Sequence, residues 1–187
     1  TPTQNTTEQL TEMRLMNHGV QTTIPHAETA QAIWDGQAIM GTDGSVHGDI
    51  ATYSWVILVN SLNIMADVTG GGFLPPTAHY MAPYSKRPEA AALFAGLSWI
   101  LDLLKAHPNT NPDNDTPPLL PIPVDNEGIV KDVHRTINDQ TPTYHLLSPD
   151  YDILQAIRSL LETLPIITNI FHVKSHQDRI KPLEELT

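Results

Sequence analysis

Apolar side chains recur along the chain in short strand-like segments and in longer helix-like ones. Three short segments rich in β-branched and aromatic residues follow one another and predict consecutive antiparallel strands. They are residues 38–42, 51–60 and 63–68. Turn-forming pairs separate them, and we assign the turns to Asp43-Gly44 and Asn60-Ser61.

Two later segments place apolar residues three or four positions apart, which is the period of a helix with one buried face. They are residues 85–106 and 151–164, and residues 127–138 predict a helix between them. Ser85 is expected to cap the first of these helices, and Pro88 is tolerated within its first turn. Short apolar runs at residues 119–124 and 166–173 predict two further strands.

The predicted element order is therefore βββ-α-β-α-α-β. Because the helices must bury their apolar faces, this order indicates a mixed α/β domain with a partly parallel sheet flanked by helices. Residues 70–83 and 107–118 are expected to be loops, from their Pro, Gly, Asn and Asp content. We place the domain at residues 37–187. Residues 1–36 form a polar leader with short helical stretches at 7–16 and 27–34, either a packed extension or the tail of an upstream domain.

Length and charge limit the function. The 187 residues fit one domain, and a net charge of −11 argues against tight, indiscriminate nucleic-acid binding. Any nucleic-acid activity must therefore rest on a local patch. The absence of cysteine excludes disulfides and thiolate metal sites. No apolar run approaches the ~18 residues of a membrane span. The chain begins without Met, and we therefore interpret it as a fragment of a longer polypeptide. It also lacks a secretory signal, so we expect the protein to act inside the cell, in the cytoplasm or nucleus.

Three carboxylates occupy positions suited to chemistry. Asp43 follows an apolar strand, Glu89 lies four residues before Leu93 on the core-facing side of its helix, and Asp125 directly follows a strand. Ligands of open α/β sheets bind at the carboxyl ends of strands. Each residue also has a structural interpretation: a turn residue for Asp43, a helix-dipole partner for Glu89 and an N-cap for Asp125.

Four motifs in order resemble those of ribonuclease H. They are TDGS (42–45) followed by the strand TYSWVI (52–57), then SKRPE (85–89), VDN (124–126) and HVKSHQD (172–178). The resemblance covers residue 37 to the end and is strongest to the ribonuclease H-like domains that follow reverse transcriptases in eukaryotic retroelements. It implies a mixed five-stranded sheet flanked by helices.

The resemblance also implies a chemistry, hydrolysis of the RNA strand of an RNA–DNA hybrid with two divalent ions, Mg²⁺ or Mn²⁺. Asp43, Glu89 and Asp125 are the implied metal ligands, with Asp43 bridging both ions. Carboxylate oxygens are the ligands that such hard cations prefer. His176 is the implied fourth catalytic residue and would assist proton transfer or product departure.

One ligand of the family pattern has no counterpart. The family's fourth metal carboxylate lies downstream of the histidine that His176 matches, and no similar segment appears before Thr187. We expect that ligand beyond Thr187, together with a C-terminal helix, or else at Asp178. Ser175 also replaces the signature glycine. These departures leave two other hypotheses open. The second hypothesis is a weak or inactive module kept for interaction or spacing. The third is another nuclease or a strand-transfer enzyme of the same fold.

Substrate and partner assignments follow from the same resemblance. The substrate would contact residues that match the family's positions or supply local positive charge, namely Gly44, Ser45, Ser85, Arg87, Asn126 and Lys174. A reverse transcriptase domain in the same polyprotein is the expected protein partner. A zinc site at His172 and His176 is disfavoured, because no third ligand has fitting spacing.

Overall fold

The protein has a mixed α/β fold. The computed structural model describes residues 19–59, 67–74, 86–110, 116–134 and 150–174. The strands are β1 (Gln21–Thr22), β2 (Ala38–His47), β3 (Ile50–Val59), β4 (Val68–Leu74), β5 (Leu119–Val124) and β6 (Ile167–His172). The helices are α1 (His26–Trp34), α2 (Arg87–Ala106), α3 (Glu127–His134) and α4 (Tyr151–Thr163). The predicted class is confirmed, with β1 as an additional two-residue strand.

The strands form two hydrogen-bonded ladders. Four strands pair in the antiparallel order β1-β4-β3-β2, and β5 pairs with β6 in parallel. β5 contacts β2, so the parallel pair lies beside the antiparallel sheet. The single five-stranded sheet that the sequence predicts is thus interrupted between β2 and β5.

Two prolines explain this interruption. Val173 N–H donates to the Val124 carbonyl at 3.0 Å, and Ile167 N–H donates to the Pro118 carbonyl at 2.9 Å. Even-numbered residues of β5 therefore direct their backbone groups to β6, and odd-numbered ones direct theirs towards β2. Two of these odd positions are Pro121 and Pro123, which have no N–H to donate. β5 can pack beside β2 but cannot give it a regular ladder.

The first hairpin turns later than predicted. β2 continues through Asp43 and Gly44 to His47, and its register with β3 runs without interruption to the pair His47↔Ile50. The turn falls instead at Gly48-Asp49, where Gly48 has φ of 60°, a left-handed conformation that favours glycine. The Asp43-Gly44 turn assignment is wrong, because cross-strand pairing with β3 extends the strand past a locally turn-prone pair.

Residues 70–74, assigned to a loop, belong to β4. This strand begins at Val68, near the end of the third predicted strand, whose residues 63–66 lie outside the described part. Gly70 pairs with Trp55, and a Cβ at Gly70 would lie 2.4 Å from the indole ring. The glycine is therefore part of the packing, since the Trp55 side chain occupies the space above it.

α2 packs along the sheet and contributes most of the buried helical surface. Its buried side chains include Leu93, Leu97, Ile100 and Leu104. It approaches β2 closely at Gly96, where a Cβ would lie 2.2 Å from the Met40 methyl group. The described part of the leader joins the same core, because α1 buries Ala30 and Ile33 in it.

The remaining elements follow the predictions closely. α4 ends one residue earlier than predicted, β6 is one residue shorter at each end, and β5 coincides with its prediction. α3 ends at His134 within the described residues, and the predicted cap Ser85 lies outside them, as do residues 7–16. Where the structure describes the 107–118 loop, it contains neither helix nor strand. No helix among the described residues is long and apolar enough to span a membrane.

Candidate metal centre

The three candidate carboxylates converge at one edge of the sheet. One carboxylate oxygen of each of Asp43, Glu89 and Asp125 lies within 4.8 Å of the other two. Asp43 is exposed on β2, Glu89 is half-buried in the first turn of α2, and Asp125 is half-buried directly after β5. The sequence prediction that these residues meet is confirmed.

Gly44 brings Glu89 to the sheet. A Cβ at Gly44 would lie 2.3 Å from the Glu89 backbone nitrogen and 2.5 Å from the Pro88 carbonyl carbon. Only a residue without a side chain allows the first turn of α2 to rest directly on β2 at this point. The Gly44 backbone also hydrogen-bonds the Glu89 carboxylate, which couples the position of the side chain to the strand.

Asn126 keeps Asp125 available for the site. The Asn126 side-chain oxygen accepts a hydrogen bond from Ile129 N–H at 3.1 Å, which caps the start of α3. The N-cap role, one interpretation of Asp125, therefore belongs to its neighbour. Asp125 Oδ1 is buried and has no hydrogen-bond partner among the described residues.

The cluster is electrostatically unfavourable without a cation. The pKa of Glu89 rises from its ordinary value of 4.5 to about 8, chiefly because burial disfavours the charged form. The negative charges of Asp125 and then Asp43 raise the pKa further, and the Gly44 hydrogen bond opposes them. Glu89 Oε2 is also buried without a hydrogen-bond partner in the described part of the chain.

This donor set suits a hard divalent cation. Three carboxylates from three separate elements offer oxygens at close range, and one buried oxygen of Glu89 and one of Asp125 have no hydrogen-bond partner among the described residues. Mg²⁺ and Mn²⁺ prefer oxygen ligands, and a cation would remove both the repulsion and the unmet hydrogen-bonding capacity. The residues present therefore fit the metal that the sequence implies.

Acidic residues of neighbouring helices hold the start of α2. No side chain of α2 caps its own N-terminus, and Asp150 accepts a hydrogen bond from Lys86 N–H at 3.2 Å. Asp152 binds the Arg87 guanidinium through two contacts of 2.8 and 2.7 Å, and this pairing lowers the pKa of Asp152 to about 2. Lys86 Nζ lies 3.0 Å from Asp132 Oδ2.

Sequence reasoning did not single out Asp132, Asp150 and Asp152. One signal was available in the two basic residues at the start of α2, Lys86 and Arg87, because positive charge at a helix N-terminus is unfavourable unless acidic partners lie nearby. Spacing alone does not identify those partners, because they lie more than forty residues away along the chain.

The other predicted site residues are only partly described. Ser45 is exposed on β2, and Lys174 is exposed just beyond β6. Arg87 and Asn126 are engaged within the protein, as ion-pair partner and helix cap. Ser85, His176 and Asp178 lie outside the described residues. Within the described ranges, Asp43, Glu89 and Asp125 are the one group of three His, Asp or Glu residues close enough to hold a metal.

Two solved ribonuclease H domains share this architecture. The RNase H1 of the halophilic archaeon Halobacterium salinarum superposes with a TM-score of 0.50 at 17% identity, over 76% of this chain and 89% of that one. The N-terminal RNase H domain of a Mycobacterium tuberculosis protein gives a TM-score of 0.50 at 13% identity, over 76% and 86%. No protein-family model matches the sequence, and neither does any curated protein. The chain thus has the ribonuclease H-like fold, which confirms the fold that the motifs implied.

Proposed function

We propose that the protein is a metal-dependent endonuclease that hydrolyses the RNA strand of RNA–DNA hybrids. The observation that carries this proposal is the convergence of Asp43, Glu89 and Asp125 at one edge of a ribonuclease H-like sheet. A structural role explains each carboxylate singly. It does not explain three of them within 4.8 Å of one another with buried oxygens left unsatisfied.

The three carboxylates would hold two divalent ions, Mg²⁺ or Mn²⁺. Bound ions supply a water activated for attack and stabilise the departing oxygen. The protein's own contribution is to position its ligands. β2 carries Asp43, the backbone contact at Gly44 holds the first turn of α2 beside that strand, and Asn126 rather than Asp125 caps α3. His176 would serve proton transfer or product departure, as the sequence resemblance implies.

Hybrid recognition would use the surface around this edge. A hybrid is bound through its wide minor groove, where 2′-hydroxyls and phosphates are accessible. Ser45 and Lys174 are exposed and available for such contacts. Contacts from Arg87 and Asn126 stay predictions, since both side chains already have partners inside the protein.

We further propose that the domain belongs to a retroelement polyprotein, next to a reverse transcriptase, and acts inside the cell. Support for this context comes from the sequence motifs alone.

A non-catalytic module of the same fold is the second candidate. The observation that favours it is the pairing of positive charge near the site. Lys86 and Arg87 are the basic residues nearest Glu89 along the chain. They form ion pairs with Asp132 and Asp152, so their charge is already balanced within the protein and less suited to attract a phosphate backbone. Among the described residues, the cluster also contains three carboxylates, without the fourth that the resemblance leads us to expect.

Cleavage of a labelled hybrid tests the two candidates. The wild type is expected to cut the RNA strand of an RNA–DNA duplex in Mg²⁺ or Mn²⁺. Asp43→Asn should lower the rate by roughly two orders of magnitude, because one ligand of the charged site is lost. Asp49→Asn, an exposed acid in the β2–β3 turn, is the matched control and should cleave like the wild type.

Thermal unfolding with and without Mg²⁺ separates metal binding from catalysis. Binding to the folded state alone raises the unfolding temperature, and Asp43→Asn should lose most of that rise. Metal binding that depends on Asp43, without cleavage of any hybrid, would favour the non-catalytic candidate. Equal shifts for wild type and Asp43→Asn would contradict the metal site itself.

A further inference from the structure

Lys86 connects the two segments that carry Glu89 and Asp125. It is the N-cap residue of α2, three positions before Glu89. Its side chain extends to α3, where Nζ lies 3.0 Å from Asp132 Oδ2. α3 begins two residues after Asp125, so this single ion pair joins the helix of one metal ligand to the helix that follows another.

The path of the side chain passes directly over the α3 backbone. A Cβ at Gly128 would lie 2.4 Å from Lys86 Nζ and 2.6 Å from Lys86 Cε. Gly128 is the second residue of α3 and lies beside the Asn126 cap, whose Oδ1 would be 3.1 Å from the same Cβ. The lysine stem therefore rests on the turn that orients Asp125.

The backbone of Lys86 is held at the same time. Its N–H donates to Asp150 at 3.2 Å, and its carbonyl accepts the first helical hydrogen bond of α2, from Ala90 N–H at 3.0 Å. A side chain anchored at both ends fixes a distance, here between the first turns of α2 and α3. The first turn of α2 carries Glu89, and the first turn of α3 directly follows the segment that carries Asp125.

We propose that Lys86 is a positioning residue of the metal site, and that its ion pair with Asp132 across Gly128 sets the separation of Glu89 and Asp125. The proposal rests on the proposed function, because it assumes that these carboxylates bind divalent ions. The side chains of the pair are 36% and 24% exposed, and pairs this exposed contribute little to stability. Its effect should appear in metal affinity, since the loss of residues that orient metal ligands typically weakens binding 10- to 100-fold.

Mn²⁺ titration of the metal-free protein tests the proposal. Lys86→Met keeps the stem and removes the charge, and it should weaken Mn²⁺ binding by about tenfold. Asp132→Asn should weaken binding similarly. The double variant should be no worse than either single one, because both remove the same interaction. Lys131→Met is the matched control, since Lys131 pairs at 2.8 Å with Glu127 on the same helix but is 60% exposed.

Unfolding by urea in EDTA distinguishes positioning from general damage. The free energies of unfolding of Lys86→Met, Asp132→Asn and Lys131→Met should agree closely, while only the first two lose Mn²⁺ affinity. Wild-type affinity in both Lys86→Met and Asp132→Asn would overturn the proposal. So would a Lys86→Met variant that raises only the KM for a hybrid, which would assign the lysine to substrate binding.

Asp43→Asn in the same titration separates the two levels of inference. If wild type binds Mn²⁺ and Asp43→Asn does not, the metal site stands and the Lys86 variants alone decide the positioning role. If wild type fails to bind Mn²⁺, the proposed function fails, and the role of Lys86 fails with it.

Discussion

Burial and the neighbouring negative charges both raise the pKa of the Glu89 carboxyl group. Two other carboxylates approach within 4.8 Å, and the backbone of the first turn of α2 lies directly against Gly44 of β2. Its pKa of about 8 means that, without a cation, the folded protein retains a proton there at neutral pH. The unfolded chain releases the same proton near pH 4.5.

The stability of the metal-free protein should therefore depend on pH through Glu89. Since its pKa is raised by folding, the stabilisation is fully present below pH 4.5 and is lost as the pH rises through about 8. Across that window the free energy of unfolding should fall by less than the limiting value of about 1.4 kcal/mol per pH unit, because solvent screens a carboxyl group that is only partly buried. Urea unfolding in EDTA between pH 5 and 9 measures this slope.

Glu89→Gln provides the comparison, because glutamine is uncharged at every pH in this range. The variant should show a flatter pH dependence and should be more stable than the wild type at pH 8. Parallel curves for the two proteins would show that Glu89 does not titrate in this window.

The sequence predicts some residues of the site and not others. The three carboxylates can be identified from the ordered motifs that resemble ribonuclease H, and the structure brings them together, although Asp43 lies within β2 and not at its end. The role of Asn126 does not follow from the sequence, because either residue of an Asp-Asn pair is a suitable N-cap. The partners of Arg87 and Lys86 escape prediction for a different reason, since they depend on how three helices pack.

The contact between β2 and α2 determines the geometry of the site at the level of whole elements. Asp43 and Glu89 meet because the helix begins directly above Gly44, with backbone against backbone. Backbone atoms cannot rotate away as a side chain can, so any added group at Gly44 must displace the first turn of α2.

Gly44→Ala should therefore destabilise the fold by about 1 to 3 kcal/mol, the usual cost of overpacking. It should also reduce the Mg²⁺-dependent rise in unfolding temperature, because Glu89 moves with the helix. Gly41→Ala is the matched control on the same strand. Its Cβ would meet only the Val56 methyl group, at 3.3 Å. Equal losses of stability in the two variants would contradict the role assigned to Gly44.

Strand pairing explains where local prediction failed. Asp43-Gly44 has the composition of a turn, yet ten paired positions between β2 and β3 carry the strand to His47. β4 contains three consecutive glycines and still pairs with β3, because Trp55 and Tyr53 fill the space above two of them. Pro121 and Pro123 in β5 were visible from the start, but their effect depends on which edge of the strand faces β2.

The net charge of −11 limits how the whole molecule can hold a nucleic acid. Three of its acids gather at the candidate site, and two nearby basic residues are paired with acids. β5 and β6 run in parallel, with Val124 opposite His172, so Lys174 leaves the sheet at the same edge as Asp125. Lys174 is exposed and is therefore a basic side chain suited to contact a phosphate beside the site.

We therefore expect Lys174 to contribute to the salt dependence of hybrid binding. Each phosphate contact made by a basic residue contributes about one unit to the slope of log affinity against log salt concentration. Lys174→Ala should reduce that slope by about one unit when binding is measured by fluorescence anisotropy in EDTA, where cleavage does not occur. Lys105→Ala is the control, because this exposed lysine lies in the last turn of α2, about 24 Å along the helix from Glu89. If Lys105→Ala changes the slope as much as Lys174→Ala, the hybrid does not dock at the edge that carries the three carboxylates.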